Sequence, residues 1–485
     1  MKFEDRLTEA YNKKVSKPKD SKVVEEQVQV KKTHHYLFQS FKITGIVTAS
    51  VVGFLILAAA GFIVINSLRI EEAGVKSIKK ARFTIYDTNL VKNDTFEALN
   101  SITYSEKQEF YQINEGFKHN LNSFAANSFM AFDKGANLAY SPLMLYSHLD
   151  LISLAVSDDE TKAQFDEALL TNDQNLRKNN LYASLRNNFF VNQELKSTVQ
   201  TKNAVFIERN LGYNQDFVNG LSERNAEAYL LNFQNDNDVN NIIKWANQSV
   251  NEDGFLNKND LKIQDDSALL FLSSLYFDNA WQSKYKTEDT HKDNFYLSND
   301  EIVKTNFMNH AYYGEVYEYD KYVSVTDYYN SSYSIQYYVP KDIKDNIFDL
   351  LPNNFLTETK EVDRAMISLS LPKFQITSSC NLEGVVNSLG ITNPYVKKSN
   401  HLRNAFAHPE DIMWSYLTYT KQKTSVSFSE DGTVIKSIIM SMGAAGAAAP
   451  GRNGYHIELN QPFVYCIKDS QGLPLLLGTI VNPIN

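Results

Sequence analysis

The sequence predicts an α+β fold carried behind a single N-terminal transmembrane helix. Three observations lead there: a long uncharged apolar run near the N-terminus, helical periodicity at the start of the main domain, and strand-like runs that culminate in a C-terminal hairpin. With 485 residues, 43% hydrophobic and 12% aromatic, the chain can fill one large core or two medium ones.

From Ile43 to Ile65 (ITGIVTASVVGFLILAAAGFIVI) no residue is charged. As a helix this run is about 34 Å long, enough to cross a hydrocarbon core of about 30 Å. Ala58 to Ala60 resemble a processing site, but a long tail precedes the run and Gly61 to Ile65 extend it, so both flanks fit an anchor better than a cleaved signal. The expected organisation is a disordered charged tail over 1–41, a transmembrane helix over 42–66, a stalk over 67–115 and one domain over 116–485. Residues 1–41 alternate charges with no apolar period.

Within the domain, NEGFKHNLNSFAANSFMAF spaces apolar residues three and four apart, as an amphipathic helix requires. A second helix opens at Ser141-Pro142, where proline's missing N–H costs nothing. ALLFLSSLYF and RAMISLSLPKFQI read as strands, the second alternating Ile367, Leu369 and Leu371 with Ser368 and Ser370. IELNQPFVYCIKD and LPLLLGTIVN pair across Ser470-Gln471-Gly472 as a hairpin.

Several functions lose support from composition and motifs. Lys plus Arg number 48 against 57 Asp plus Glu, a net charge of -9, which disfavours nucleic acid as a partner. The two cysteines, Cys380 and Cys466, form no disulfide framework and no metal-ligand cluster, and are read as structural thiols. The sequence contains no GxSxG, HExxH, CxxC or phosphate-binding glycine loop, so no enzyme, metal or cofactor is expected. The histidines, His148 among them, are scattered.

Residues 443–454, GAAGAAAPGRNG, carry no side chain large enough to anchor a core, yet they lie between two strand-forming stretches. They are either a flexible connector or an exposed loop of the kind proteases cut.

These residues carry a family resemblance. NLAYSPLMLYSHLDLISLAVSDDETKAQFDEAL, NAVFIE, IIKWANQSV, FLSSLYFDNAW, LSLPKFQI, LEGVVNSLGI, SFSEDGT and NQPFVYCIKDSQGLPLLLGTIVNP occur in the order seen in serpins, the serine protease inhibitors, over about 117–485. The resemblance implies a large five-stranded mixed sheet, smaller sheets, surrounding helices and an exposed reactive-centre loop. It also implies a suicide mechanism, in which a protease cleaves the loop and the loop inserts into the sheet as a new central strand.

Carried over residue by residue, Glu430, Gly432, Thr433, Val434 and Ile435 form the hinge, and the loop runs to about Tyr455. Family spacing puts the reactive bond at Gly446-Ala447, which suits an elastase-like or subtilisin-like protease; counting back from Pro462 gives Arg452-Asn453 and a trypsin-like one. Asn137, Ser141, Ser273, Trp281 and Gln422 match the breach and shutter region beneath the central strands. Three departures stand out: Val434 and Ile435 replace small hinge residues, Ser273 and Gln422 replace Asn and His, and Met144 replaces Ser. Bulky β-branched residues slow threading of a strand, so a non-inhibitory binding or decoy protein is the alternative.

The expected partner is a serine protease, with the chain a monomer that needs no cofactor. An inhibitor acts outward, and with lysines in the tail (KKVSKPKDSK) this places the domain outside the cell membrane as a single-pass protein. Arg69, Lys76, Lys79, Lys80 and Arg82 lie close on the far side and count against that orientation.

Overall fold

The computed structural model describes residues 96–105, 110–133, 135–358, 360–435 and 454–484. In chain order the elements are β1 (Glu97–Ala98), α1 (Glu115–Met130), β2 (Leu138–Tyr140), α2 (Pro142–Ser153), α3 (Asp159–Ala168), α4 (Gln174–Asn187), β3 (Phe189–Asn192) and β4 (Ser197–Glu208). They continue with α5 (Gln215–Ser222), β5 (Ala226–Leu231), α6 (Asp236–Ser249), α7 (Lys258–Leu261), β6 (Leu269–Ala280), β7 (His291–Tyr296), β8 (Ile302–Glu318), β9 (Tyr322–Tyr328), β10 (Ser334–Pro340) and α8 (Ile347–Leu350). The last are β11 (Asp363–Pro372), β12 (Phe374–Asn381), α9 (Glu383–Ser388), β13 (Lys421–Ser429), β14 (Gly432–Ile435), β15 (Tyr455–Glu458), β16 (Phe463–Lys468) and β17 (Pro474–Ile480).

The first helix starts where its signals predict. Asn114 caps α1, its side chain accepting from the N–H groups of Gly116 and Phe117, and Phe117, Leu121, Phe124 and Phe129 form the buried stripe. Ser141 caps α2 with Pro142 at its first turn. Because α2 runs beneath the main sheet with protein on every side, it buries Leu143 through Ser147 as well as Leu149 through Ile152.

The main sheet has the order β1-β5-β4-β6-β14-β13-β12, with β3 on β4. Five long strands (β5, β4, β6, β13, β12) make up the expected sheet. The hinge strand β14 departs from the expectation of a loop wholly outside it, for it already lies in the middle, antiparallel to both β6 and β13. Its pairing covers Gly432↔Ala280 to Ile435↔Phe277 on one side and Gly432↔Ser429 to Val434↔Ser427 on the other.

Gly432 makes this close approach feasible, since a Cβ there would overlap the Asn279 carbonyl and the Ala280 Cα. Below these residues no ladder joins β6 to β13 among the described residues.

The expected smaller sheets form one continuous nine-stranded ladder, β15-β11-β8-β9-β10-β16-β17-β2, with β7 on β8. The long strand β8 pairs with β7 through Thr305 and Phe307 and with β9 through Glu315 and Val316, and so fuses two regions into one sheet. RAMISLSLPKFQI is two strands: β11 ends at Pro372, β12 begins at Phe374, and they belong to different sheets. The C-terminal hairpin β16/β17 turns at Gly472, whose φ of 83° favours glycine.

The expected stalk is corrected in its last part. Glu97 and Ala98 pair with Leu230 and Tyr229, and Ile113 donates its N–H to Gln471 Oε1. Phe96 and Tyr104 are buried. This segment has no periodicity because it docks through isolated aromatics and a two-residue strand. The apolar run 43–65 lies outside the described residues, and among those described no helix is long and apolar enough to cross a membrane. Cys380 and Cys466 are free thiols, with Cys466 buried.

Candidate functional site

Two polar groups hold the hinge at the top of the main sheet. The Glu430 carboxylate accepts from Lys373 Nζ at 2.7 Å and from Thr290 Oγ1 at 2.9 Å. Although burial pushes its pKa up, these bonds and the Lys373 charge hold it below the usual carboxylate value. Thr433 is fully buried, its hydroxyl 2.7 Å from that of Tyr329.

Trp281 organises the same corner. Its indole lies parallel to the Tyr329 ring at 4.7 Å and donates from Nε1 to the Ser429 carbonyl at 2.8 Å. Asn279, opposite Thr433, accepts through Oδ1 from Ser197 and Ser331. Each strand entering the corner is therefore tied to another by a buried polar or aromatic contact.

Below β14 the central strands separate around a cleft of about 150 Å³. Phe271 to Leu275 of β6 form one wall and Lys421 to Ser425 of β13 the other. Ser141, Met144 and His148 of α2 form its back, and Trp245, Ala246 and Ser249 of α6 cover its front. A second cavity of about 160 Å³ shares His148, Phe271, Leu272 and Gln422 with the first and extends the cleft toward Leu269.

Helix α2 supplies a polar contact to the central strand β6. His148 Nδ1 lies 3.0 Å from Ser273 Oγ, and its removal from water pushes the imidazole pKa down to about 4. Gln422 Oε1 and Asn203 Oδ1 are buried without a hydrogen-bond partner among the described residues. Asn203 donates instead to Ser147 Oγ at 3.0 Å.

The front cover is latched from below. Trp245 Nε1 of α6 donates to Glu227 Oε2 at 2.7 Å, and Tyr229 donates to the same oxygen at 2.6 Å. Phe206, Tyr229, Trp245 and the inner side of α6 form a separate apolar cluster, against which Leu270 and Leu272 pack.

Of the residues singled out in the sequence, Ser141, Ser273 and Gln422 meet around the cleft, while Glu430, Gly432, Thr433 and Trp281 meet at the hinge. Val434 and Ile435 pair with Asp278 and Phe277. Asn137 does not join either group: it ties the residue before β2 to the segment after β17 by donating to the Asn482 carbonyl and accepting from the N–H groups of Val481 and Asn482. Gly446, Ala447, Arg452 and Asn453 lie outside the described residues. Lys373, Thr290 and Tyr329 were not singled out, and His148 was read only as one of the scattered histidines. Only His148 had a local signal, sitting seven residues, two helical turns, after Ser141.

Comparison with known proteins agrees with this fold. A family model described as Serpin (serine protease inhibitor) matches residues 119–483. Serpin-Z10 of Arabidopsis thaliana is 23% identical over 375 residues, covering 72% of this chain and 92% of the relative. The native thermophilic serpin tengpin superposes with a TM-score of 0.65 at 23% identity, covering 78% of this chain and 97% of tengpin. Human thyroxine-binding globulin, solved with its hormone, gives 0.62 at 17% identity, covering 76% and 99%.

Proposed function

We propose that this chain, which belongs to the serpin family, is a suicide inhibitor of serine proteases held at the outer face of a cell membrane by residues 43–65. The observation that carries this reading is the position of β14. Gly432 to Val434 pair with both β6 and β13, Ile435 pairs with β6, and the cleft below them is open. An added strand there would complete two ladders at once, and the hydrogen bonds and burial gained would drive insertion.

Extending the observed register describes the inserted form. Lys436 would lie between Tyr276 and Ser425, Ser437 between Leu275 and Thr424, and Ile439 between Ser273 and Gln422. Strand alternation puts Ser437 and Ile439 on the same face as Thr433, toward the buried side. Lys436 would fall on the opposite face, so its charge would avoid the main core.

Cleavage at Gly446-Ala447 by an elastase-like or subtilisin-like protease is the favoured assignment, with Arg452-Asn453 and a trypsin-like enzyme the alternative. The test incubates the protein with an elastase-like protease and resolves the products in SDS. A stable band near the summed masses, together with loss of protease activity, is expected. Clean cleavage with full protease activity would overturn the inhibitor reading.

A second reading, a binding or decoy protein, has specific support. Val434 and Ile435 are bulky, and thyroxine-binding globulin shows that this fold also carries hormones. Clean cleavage in the gel is the outcome this reading expects.

A further inference from the structure

The main sheet has two ends. Gly432 meets Ala280 at the hinge end, while Glu208, Leu231, Leu269, Asn381 and Lys421 all lie at the other. Two features share that far end. Phe96 stands there because Glu97 lies opposite Leu230 and β1 runs antiparallel to β5. The connection from Asn381 to Lys421 hangs from the same end, with Leu382 N–H bonded to the Thr420 carbonyl at 2.8 Å and the Tyr419 hydroxyl bonded to the Leu261 carbonyl.

This connection displays apolar side chains on a backbone that is firmly held. Met413, Trp414 and Val396 are 76%, 44% and 53% exposed. Their two loops are laced together by Ser415 N–H to the Ser399 carbonyl at 2.7 Å, Leu417 N–H to the Pro394 carbonyl at 2.7 Å and Leu402 N–H to the Ser415 carbonyl at 3.2 Å. Lys397 and Lys398 are exposed beside Val396. Glu410 and Asp411 are exposed as well, with Glu410 3.5 Å from His408, so the loops present no excess of positive charge.

We propose that this end of the domain rests on the membrane that holds the chain, with Trp414, Met413 and Val396 inserted at the lipid–water interface. An amphipathic indole belongs at headgroup level, methionine and valine gain by leaving water, and Lys397 and Lys398 reach lipid phosphates. With Glu410 and Asp411 opposing attraction to anionic lipid, the contact is mainly apolar. The hinge end is thereby turned away from the bilayer toward soluble proteases. The inference rests on the anchored reading above.

Tryptophan emission tests it, because Trp245 and Trp281 are buried and Trp414 alone of the three is exposed. The full chain is reconstituted into phosphatidylcholine vesicles with a minor share of phosphatidylglycerol and brominated acyl chains. Quenching is expected in the wild type, lost in Trp414→Phe and weakened in Met413→Asp, which keeps the reporter. Emission unaffected by brominated lipid, or quenching as strong in Met413→Asp as in the wild type, overturns the inference. Alkaline extraction of the same vesicles reads the anchor separately: a chain that resists extraction without quenching keeps the anchor and sinks this contact, whereas an extracted and unquenched chain sinks both.

Discussion

Thr433 and Tyr329 stand 104 residues apart, yet their hydroxyls meet at 2.7 Å inside the protein. The first hinge side chain to enter the sheet is thus received by a prepared partner. Thr433→Arg would force a long charged side chain into a fully buried site that holds a threonine. The variant is expected to fold, to be cut at the loop like a substrate, and to form no SDS-stable complex. A complex at wild-type yield would show that Thr433 need not enter.

The Glu430 bonds to Lys373 and Thr290 hold the hinge from the other side. Lys373→Met is expected to cost about 1 kcal/mol in chemical denaturation, a small value because the Lys373 ammonium is partly solvated. Hydrogen exchange at the β14 amides should rise in the same variant. Unchanged exchange would mean that β14 is held by its ladder alone.

Asp278 lies opposite Val434, and burial raises its pKa to about 6 against the tyrosine hydroxyl bond that lowers it. A raised carboxyl favours the protonated folded state, so its ionisation destabilises the protein at neutral pH. Below the unfolded value near 4 both states are protonated and nothing is lost. Asp278→Asn should therefore be more stable than wild type at pH 7, with the gain fading between pH 6 and pH 4. A gain independent of pH would refute the assignment.

His148 has the opposite sign. Its folded pKa of about 4 lies below the ordinary value of 6.5, so the unfolded chain takes up the proton first as pH falls. Stability should drop between pH 6.5 and pH 4, and by less in His148→Gln. Parallel melting curves for both proteins across that range would rule this out.

Glu227 receives Trp245 from α6, the helix over the cleft. Glu227→Ala leaves an indole N–H and a tyrosine hydroxyl without their acceptor, at a cost of about 2 kcal/mol. The looser helix should also let an incoming strand pass sooner. Stopped-flow measurement of complex formation with a protease is expected to show a faster step, and an unchanged rate would free α6 of any gating role.

Much of the fold was legible because the relevant signals are local. Asn114 and the Phe117–Phe129 stripe, Ser141-Pro142, and the turn at Gly472 each state their structure within a few residues. The hinge was legible only through the order of family motifs, and its entry into the sheet was not. Whether Thr433 is buried depends on Tyr329 and on the spacing of β6 and β13, which no nearby residue encodes. The partners Lys373 and Thr290 were hidden for the same reason. Asn137 was grouped with the shutter by its motif, yet its amide bonds the backbone of Val481 and Asn482 after β17.

The last strands impose an order on biosynthesis. β17 lies between β16 and β2, so Leu138 waits for Thr479, and β10 waits for β16. Until the β16/β17 hairpin has been made, β2 and β10 keep the bare edges that it covers. Contacts spanning most of the chain close slowly, and the nascent domain stays open to wrong pairings until they do. A truncation removing Pro474–Ile480 would take β17 from between β16 and β2, leaving the outer edge of β16 bare and β2 without the strand it pairs with.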